Sequence, residues 1–211
     1  FYGINTTTPP QDIFEKNLQI LKNFISCSNG KKIITFGSGA EFDKSLPIID
    51  RTDESWAKLP PQDLYGRAKY LISKEIKNYS NVLNLRLFGV YGPYEQDRRF
   101  ITHAIKCVLD KQPITIRQNV NFSYLEITDL CKLVVYFIEH TPKHQFINMT
   151  PPKKVSLKTL AEIVKKISNS NVKIQILKQG FANEYTGIPK ALLEEIPNFE
   201  FISFADGIKN L

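Results

Sequence analysis

The sequence predicts an α/β protein in which helices cover a mostly parallel β-sheet. Short runs of apolar residues, typical of buried strands, alternate along the 211-residue chain with longer segments whose apolar residues recur at helical spacing. The proline pairs at 9–10, 60–61 and 151–152 fall between these segments and mark loops. Because two parallel strands need a long crossover between them, usually a helix, this alternation favours a parallel sheet.

The predicted elements follow one another along the whole chain. Apolar residues at helical spacing predict helices over residues 11–28, 62–79, 99–111, 128–140 and 156–167. Short runs rich in β-branched and aromatic residues predict strands over residues 31–36, 82–88, 114–117, 124–127, 146–149 and 172–177. Asp63 and Ser156 each stand at the start of a predicted helix. We expect both side chains to cap those helices by accepting free backbone N–H groups of the first turn.

The composition is that of a folded protein with a sizeable core. Hydrophobic residues make up 42% of the chain and charged residues 23%, close to the average for globular domains. No apolar run approaches the ~18 residues of a membrane-spanning helix, so no membrane partner is expected. The cysteines are odd in number and scattered, which predicts reduced core thiols in a cytoplasmic protein: Cys27, Cys107 and Cys131. Since neither they nor the histidines show metal-ligand spacing, no metal site is predicted.

The chain carries a formal net charge of +7. Its basic residues come as short pairs, such as Arg98 and Arg99, spread among acidic residues, without a basic helix or an aromatic-interleaved motif. We therefore expect a solvated surface and no nucleic-acid partner, with RNA binding as the weaker alternative. A basic surface also suits an anionic small molecule such as a diphosphate, because it raises the local concentration of anions.

A tyrosine and a lysine four residues apart, Tyr65 and Lys69, lie within the predicted helix over residues 62–79. Side chains at this spacing share one helix face, where the lysine ammonium can stabilise a tyrosinate. A tyrosine so placed can pass a proton to or from a substrate oxygen. Ser38 follows a short apolar strand at a glycine-flanked turn, and strand tips are where open α/β sheets place their sites. Its hydroxyl can hold the same oxygen.

These residues occur in a characteristic order. A strand leading to a serine is followed by a helix with Tyr-x-x-x-Lys, a second strand and the segment Arg-Leu-Phe-Gly-Val-Tyr-Gly-Pro at 86–93. In this order the chain resembles the extended short-chain dehydrogenase/reductase family, the NAD-dependent epimerase/dehydratase group that acts on nucleotide sugars. Asn17 and the segments 122–130 and 146–148 extend the resemblance. Within the family, the chain is most similar to the GDP-fucose synthase branch.

The resemblance implies a Rossmann-like doubly wound parallel sheet with a smaller α+β substrate domain. Residues 1–92 and 118–150 would form the remaining part of the dinucleotide-binding domain, and residues 93–117 and 151–211 the nucleotide-sugar-binding domain. The family opens with a strand and a glycine-rich turn that binds the dinucleotide pyrophosphate. Because no G-x-x-G-x-x-G occurs in the sequence, we expect the first third of a family member to be missing from it.

The resemblance also implies three groups of site residues. The catalytic residues would be Ser38, Tyr65 and Lys69. The cofactor, NAD or NADP, would contact Tyr65, Lys69, Phe88 and Val90. The nucleotide-diphosphate sugar would contact Ser38, Gly89, Arg98, Arg99 and Arg117. A cytoplasmic homodimer, working in surface-polysaccharide sugar biosynthesis, is the implied setting.

Differences from the family's usual residues after the serine narrow the range of possible reactions. The family's 4,6-dehydratases carry an Asp-Glu pair directly after the serine position, where this chain has Gly39 and Ala40. Fucose synthases, which epimerise before reducing, place a cysteine where this chain has Ala40. The resemblance then favours a 4-ketoreductase or 4-dehydrogenase; the alternatives are a 4-epimerase and a non-catalytic nucleotide-binding member of the fold. Glu41 comes next, and because neighbouring residues of a strand point to opposite faces, we assign it no catalytic role.

Two further departures concern the substrate. Gly89 stands where the family often has an asparagine that contacts the sugar nucleotide, and Phe122 where it often has an arginine on the diphosphate. The three arginines named above are the candidates to replace that charge, since a guanidinium binds phosphate through two hydrogen bonds. Their alternative is a place on the surface. The nucleotide base and the sugar are not predicted.

Overall fold

The structure is a computed structural model that describes residues 10–211. The helices are α1 (Pro10–Cys27), α2 (Leu64–Ile76), α3 (Phe100–Leu109), α4 (Ile127–Glu139), α5 (Leu157–Ile167), α6 (Lys190–Glu195) and α7 (Phe204–Lys209). The strands are β1 (Ile33–Ser38), β2 (Ile48–Arg51), β3 (Val82–Leu87), β4 (Gly89–Tyr91), β5 (Ile114–Asn119), β6 (Asn121–Phe122), β7 (Tyr124–Glu126), β8 (Phe146–Met149), β9 (Val155–Ser156), β10 (Ile174–Phe181) and β11 (Tyr185–Gly187).

A parallel sheet of β1, β3 and β8 lies at the centre of the fold, with β3 in the middle. Ser38 at the end of β1 pairs with Leu87 of β3, and Leu87 pairs with Met149 of β8. The three strands therefore end together at one edge. Ligand sites of open α/β sheets lie outside this carboxyl edge.

Helices cover both faces of the sheet. α1 and α2 pack against the face that carries Val82 and bury Leu21 and Ile76. α4 and α6 pack against the face that carries Leu83. Because successive residues of a strand point to opposite sides, the two groups of helices lie on opposite faces. The predicted doubly wound α/β arrangement is confirmed.

A second core surrounds the parallel pair of β5 and β10. α3, α5 and α7 pack there and bury Ile101, Ile116, Leu160 and Val164. Tyr91, at the end of β4, belongs to the same core. This unit of helices and strands has the make-up expected of the smaller domain, although the predicted domain boundaries stay a prediction.

Two short ladders join the two cores. β4 pairs in parallel with β7, and β2, β11, β6 and β9 form a small sheet in that order. Within it, Tyr185 of β11 pairs with Ile48 of β2 on one side and Phe122 of β6 on the other. These pairings bring the C-terminal part of the chain next to the residues that follow β1.

The long predicted elements are confirmed, with shifted ends. Asp63 accepts the N–H of Gly66, so α2 begins at Leu64, and Ser156 accepts the N–H of Thr159 at the start of α5. The strand predicted over residues 172–177 instead runs over 174–181, with a register shift against β5 near its end. The elements that the sequence did not predict are short, so that no periodicity can mark them: β2, β4, β6, β9, β11, α6 and α7.

The expectation that all three cysteines are core thiols is wrong. Cys107 is buried, but Cys27 and Cys131 are exposed. Cys27 is the last residue of α1, and Cys131 lies on the solvent side of α4, so neither side chain reaches the sheet. None of the helices in residues 10–211 is long and apolar enough to cross a membrane.

Candidate functional site

A cleft of about 410 Å³ opens at the carboxyl edge of β1, beside α2 and the small sheet that contains β11. Polar, aromatic and charged side chains line it together. The lining residues are Ser38, Ala40, Lys44, Ile48, Tyr65, Phe88, Gly89, Arg99, Phe122, Tyr124, Asn183, Glu184 and Tyr185. Two of the three predicted catalytic residues are in this set, and the third, Lys69, lies one helical turn after Tyr65.

Ser38 is the last residue of β1, and it also caps a short 3-10 turn over Gly39–Phe42. Its Oγ accepts a hydrogen bond from the backbone N of Ala40 at 3.2 Å. The residue is only 6% exposed. The turn therefore fixes one side of the hydroxyl and leaves the other side on the cleft.

α2 presents Tyr65 and Lys69 one turn apart, as their spacing predicts. Lys69 Nζ donates to the backbone oxygen of Phe36 at 2.7 Å and lies 6.0 Å from the centroid of the Tyr65 ring. Lys44 Nζ lies 5.8 Å from the same centroid. Two ammonium groups thus flank the ring, where they can stabilise charge that develops on the phenol oxygen during proton transfer.

The surroundings of Lys69 lower its pKa below the ordinary 10.5. Burial is the main cause, because it disfavours the charged ammonium, and the nearby carboxylate of Glu41 opposes it. The pKa of Lys69 is therefore closer to neutral pH than that of a solvated lysine.

A buried ion pair lies beneath the cleft. Glu41 Oε1 is 2.5 Å from Arg86 Nε, and both side chains are almost completely excluded from solvent. Ser73 Oγ donates to Glu41 Oε2 at 2.7 Å, and Arg86 Nη1 donates to Asn148 Oδ1 at 2.9 Å and to the backbone oxygen of Asp53 at 3.1 Å. Burial raises the pKa of Glu41, whereas Arg86 and Ser73 oppose the rise.

Glu41 does not line the cleft. That it has no catalytic role stays a prediction. The reason given for it, alternation along a strand, is wrong. β1 ends at Ser38, and Glu41 belongs to the 3-10 turn, where the period of two no longer applies.

The ring of Phe88 is held between two glycines. A Cβ on Gly39 would lie 2.5 Å from Cδ1 of the ring, and a Cβ on Gly187 would lie 2.5 Å from Cε2. The ring also stacks near Phe42, at 6.3 Å between centroids, and contacts Tyr185 at 5.3 Å. Both glycines are therefore needed wherever Phe88 keeps this position.

Three more aromatic rings continue the cleft wall from Phe88. The ring centroids of Tyr185 and Phe122 are 5.7 Å apart, and those of Phe122 and Tyr124 are 5.3 Å apart. Burial raises the pKa of Tyr124 to about 12 and that of Tyr185 further. The Ser38 side chain opposes the rise in the pKa of Tyr185. Both tyrosines thus remain neutral phenols over the physiological pH range.

The sequence analysis missed the residues that β2, β11 and their flanks bring to the cleft, Lys44, Ile48, Asn183, Glu184 and Tyr185. No motif marks them, and β11 is too short to be recognised. Only its pairing with β2 and β6, both remote in sequence, places them beside Ser38.

The residues predicted to bind substrate are not all together. Arg99 and Gly89 line the cleft, whereas Arg98 lines a neighbouring hollow that also contains Val90. Arg117 is exposed on β5 and lines neither. Of the three arginines, only Arg99 has a place from which it can contact a ligand in the cleft, and the roles of Arg98 and Arg117 remain predictions without that support.

Gly89 has no space for the asparagine side chain that the family often carries there. A Cβ at this position would lie 2.8 Å from Cδ1 of the Tyr124 ring. Tyr124 therefore takes up the room, and the cleft gains an aromatic face where the family has an amide.

The residues at the Lys69 side of the cleft fit the nicotinamide end of a dinucleotide. An ammonium donor beside the Tyr65 ring can hold a ribose hydroxyl, and Phe88 adds a small apolar surface to the cleft wall. The sequence carries no glycine-rich turn of the kind that binds the pyrophosphate. The fit thus extends to one end of the cofactor.

Comparison with known proteins identifies relatives of this chain. The model of the NAD dependent epimerase/dehydratase family matches residues 4–149. A probable GDP-L-fucose synthase 1 of Oryza sativa subsp. japonica is 22% identical over 183 residues, an alignment that covers 76% of this chain and 56% of the rice protein. The chain therefore spans little more than half the length of this relative.

Solved structures of similar enzymes share the fold. A dTDP-glucose 4,6-dehydratase from Bacillus anthracis in complex with NAD has a TM-score of 0.80 at 14% identity, covering 99% of this chain and 69% of that one. A UDP-glucuronic acid 4-epimerase from Bacillus cereus, in complex with UDP-glucuronic acid and NAD, has a TM-score of 0.73 at 21% identity, and the match covers 99% of this chain and 68% of that one. A GDP-L-fucose synthetase from Naegleria fowleri has a TM-score of 0.80 at 14% identity, and the match covers 96% of this chain and 71% of that one.

The order of the motifs, the doubly wound sheet and the family match over residues 4–149 lead to one conclusion. The chain belongs to the NAD-dependent epimerase/dehydratase family.

Proposed function

We propose that this protein is an NAD(P)-dependent oxidoreductase that acts at one carbon, C4, of a nucleotide-diphosphate sugar, as a 4-ketoreductase or 4-dehydrogenase. The observation that carries the proposal is the meeting of Ser38 and Tyr65 in one cleft, with Lys69 a turn behind, at the carboxyl edge of the sheet. When bound, NAD or NADP supplies the hydride acceptor or donor.

Tyr65 is the acid or base of the proposed reaction. It takes the hydroxyl proton when the sugar alcohol is oxidised and returns a proton to the oxygen when the ketone is reduced. Lys69 and Lys44 stabilise the charge that develops on the phenol oxygen, because both ammonium groups lie near the ring. Ser38 holds the reacting oxygen through a hydrogen bond and orients it toward Tyr65.

The remainder of the cleft suits the rest of such a substrate. Arg99 supplies a guanidinium for a diphosphate, in place of the arginine that is absent at Phe122. Tyr124 and Tyr185 in the cleft wall offer aromatic surface to sugar C–H groups or to a base. The complex of the Bacillus cereus relative with UDP-glucuronic acid and NAD supports a ligand of this class.

Gly39 and Ala40 favour simple redox chemistry over dehydration. Elimination of water needs an additional acid and base next to the reacting carbon, and neither residue can supply one. A 4-epimerase is the second candidate, because oxidation and re-reduction at one carbon use the same three residues. The overlay of this chain on a UDP-glucuronic acid 4-epimerase over 99% of its length supports that candidate.

The experiment that tests the proposal is turnover by the purified protein and by Tyr65→Phe. Each is incubated with oxidised NAD or NADP and with UDP-glucuronic acid, UDP-N-acetylglucosamine or dTDP-glucose, whose C4 hydroxyl group is the one to be oxidised. We expect change in the nicotinamide absorbance, lowered ~10²- to 10⁴-fold in the variant. NMR of the sugar product separates net oxidation or reduction from epimerisation.

Tyr136→Phe is the matched control. Tyr136 lies on α4 and donates to the backbone oxygen of Glu195 at 3.2 Å, outside the cleft. Equal rates for the protein and for both variants would contradict the proposal and favour a non-catalytic binding protein. Mass spectrometry of nucleotides released on denaturation tests the cofactor separately, since a binding protein and an enzyme can both retain it.

The biological setting is also proposed. The resemblance supports a cytoplasmic homodimer that serves surface-polysaccharide sugar biosynthesis. Sedimentation of the purified protein tests the dimer, and a mass equal to the 24.2 kDa chain would contradict it.

A further inference from the structure

Among the described residues that line the cleft, three carry a charge. Lys44 and Arg99 are exposed and positive, and Glu184 is partly buried and negative. Glu184 already has partners, because its Oε1 accepts from Lys154 Nζ at 2.6 Å and from Thr186 Oγ1 at 2.7 Å. The surface that a ligand meets in the cleft is therefore positive at two places.

Lys44 is held at the catalytic end of the cleft by its neighbours in the chain. It follows the 3-10 turn at the end of β1, and Asp43 Oδ1 accepts both the backbone N–H and the hydroxyl of Ser45, at 3.0 and 2.7 Å. Asn183 Nδ2 donates to the backbone oxygen of Ser45 at 3.0 Å. Lys44 Nζ lies 5.8 Å from the centroid of the Tyr65 ring. The ammonium group thus stands beside the proposed acid or base before any ligand binds.

The ion pair of Lys44 with Asp63 leaves its ammonium group available to a ligand. Nζ lies 3.6 Å from Asp63 Oδ1, too far for a hydrogen bond, and the two side chains are 47% and 40% exposed. The same Oδ1 accepts the N–H of Gly66 at 2.9 Å as the cap of α2. Because an ammonium group has three protons to donate, Lys44 is able to bind an anionic group of a ligand.

We propose that Lys44 is a specificity-determining residue, which binds a carboxylate group on the sugar of the nucleotide-sugar substrate. This inference rests on the proposed function, in which Tyr65 contacts the oxygen at C4. In hexuronic acids the carboxylate is attached to C5, the neighbour of C4, so a sugar whose C4 oxygen reaches Tyr65 can bring its carboxylate to Lys44. Arg99 serves the diphosphate, as proposed above. Lys69 remains the ammonium group that stabilises charge on the phenol oxygen.

The test compares ligands that differ only at C6. UDP-glucose and UDP-glucuronic acid are titrated into the purified protein by isothermal calorimetry, and glucose 1-phosphate and glucuronic acid 1-phosphate are followed by saturation-transfer NMR. The second pair has no base, so an unsuitable base cannot hide a preference for the sugar. We expect the acid of each pair to bind about tenfold more tightly, the low end for a hydrogen bond between charged groups, because Lys44 is half exposed.

Variants of the two cations separate the carboxylate from the diphosphate. Lys44→Met should remove the preference and leave the affinity for the neutral sugars within about twofold, whereas Lys44→Arg should keep the preference. Arg99→Met is the matched control, because it removes a positive charge from the same cleft and should weaken both UDP-sugars equally. In the unmodified protein the preference should shrink as salt is added, since partly exposed charges are screened.

Three results would overturn the proposal. Equal binding of the acidic and neutral sugars, or binding of neither, would mean that the cleft has no carboxylate site. A preference that persists in Lys44→Met would place the carboxylate on another residue. An equal loss of both sugars in Lys44→Met would assign Lys44 to the diphosphate. The test measures no turnover, so a protein without activity on nucleotide sugars would refute the proposed function, while the binding result still decides on Lys44.

Discussion

Replacing Glu41 by glutamine should destabilise the protein strongly, although the two side chains have nearly the same shape. The change removes the negative charge that lies 2.5 Å from Arg86 Nε, at a site where the exposures are 0% and 1%. Arg86 keeps Asn148 and the backbone of Asp53 as acceptors, but both are neutral. A buried guanidinium then loses its directly paired carboxylate, and of the acids it interacts with only Asp53 remains.

The expected loss follows from the burial. Removing one partner of a fully buried ion pair costs about 3 to 5 kcal/mol. The two remaining neutral acceptors place Glu41→Gln at the lower end, about 3 kcal/mol, a sizeable part of the ~5 to 15 kcal/mol that holds a domain folded. For a chain of this size the same loss lowers Tm by roughly 6 to 12 °C.

The assay is urea unfolding with linear extrapolation, supported by thermal melting. Glu162→Gln is the control, since its pair with Lys158 is 3.7 Å apart and half exposed, and it should change stability by no more than ~0.5 kcal/mol. The double variant Glu41→Leu with Arg86→Met should recover most of the loss, because neither charge of the pair remains buried. A loss below about 1 kcal/mol in Glu41→Gln, or a double variant less stable than the single one, would refute this reasoning.

Three further changes test the site. Gly39→Ala should cost about 1 to 3 kcal/mol by forcing a methyl group against Phe88, measured by urea unfolding, and an unchanged midpoint would show that the ring can move. Asp63→Ala and Ser156→Ala each remove a helix cap worth ~1 kcal/mol, yet only Asp63→Ala should also slow turnover, because its helix carries the catalytic tyrosine; equal rates would contradict this. As pH rises toward 10.5, the unmodified protein should gain stability relative to Lys69→Met. Because the pKa of Lys69 is lower in the folded protein, the unfolded chain binds more protons in this pH range, and stability rises with pH only where the lysine is present. A stability difference between the two proteins that does not change with pH would contradict the lowered pKa.

The sequence predicted the parts of the site that local periodicity controls. Tyr65 and Lys69 share a helix face because they are four residues apart, and Ser38 ends a recognisable strand. Tyr185 could not be predicted in this way. A three-residue strand that pairs only with segments remote in sequence brings it to the cleft, and no local pattern encodes that pairing.

The ion pair beneath the cleft shows a second limit of sequence analysis. Strand alternation predicts where a side chain points only as long as the strand continues. β1 ends at Ser38, three residues before Glu41, and the 3-10 turn directs that carboxylate onto Arg86. The predicted strand ended at residue 36, so alternation should not have been applied to Glu41; its side chain points away from the cleft because of the 3-10 turn.

The position of Phe88 between two glycines links packing to the choice of reaction. Converting this cleft to dehydration would require an acid at position 39, where the added Cβ alone would lie 2.5 Å from the ring. An acid introduced first would destabilise the packing of Phe88 before it could supply the chemistry. The side chain at position 88 must become smaller before or together with that change. A change from redox chemistry to dehydration therefore takes at least two substitutions.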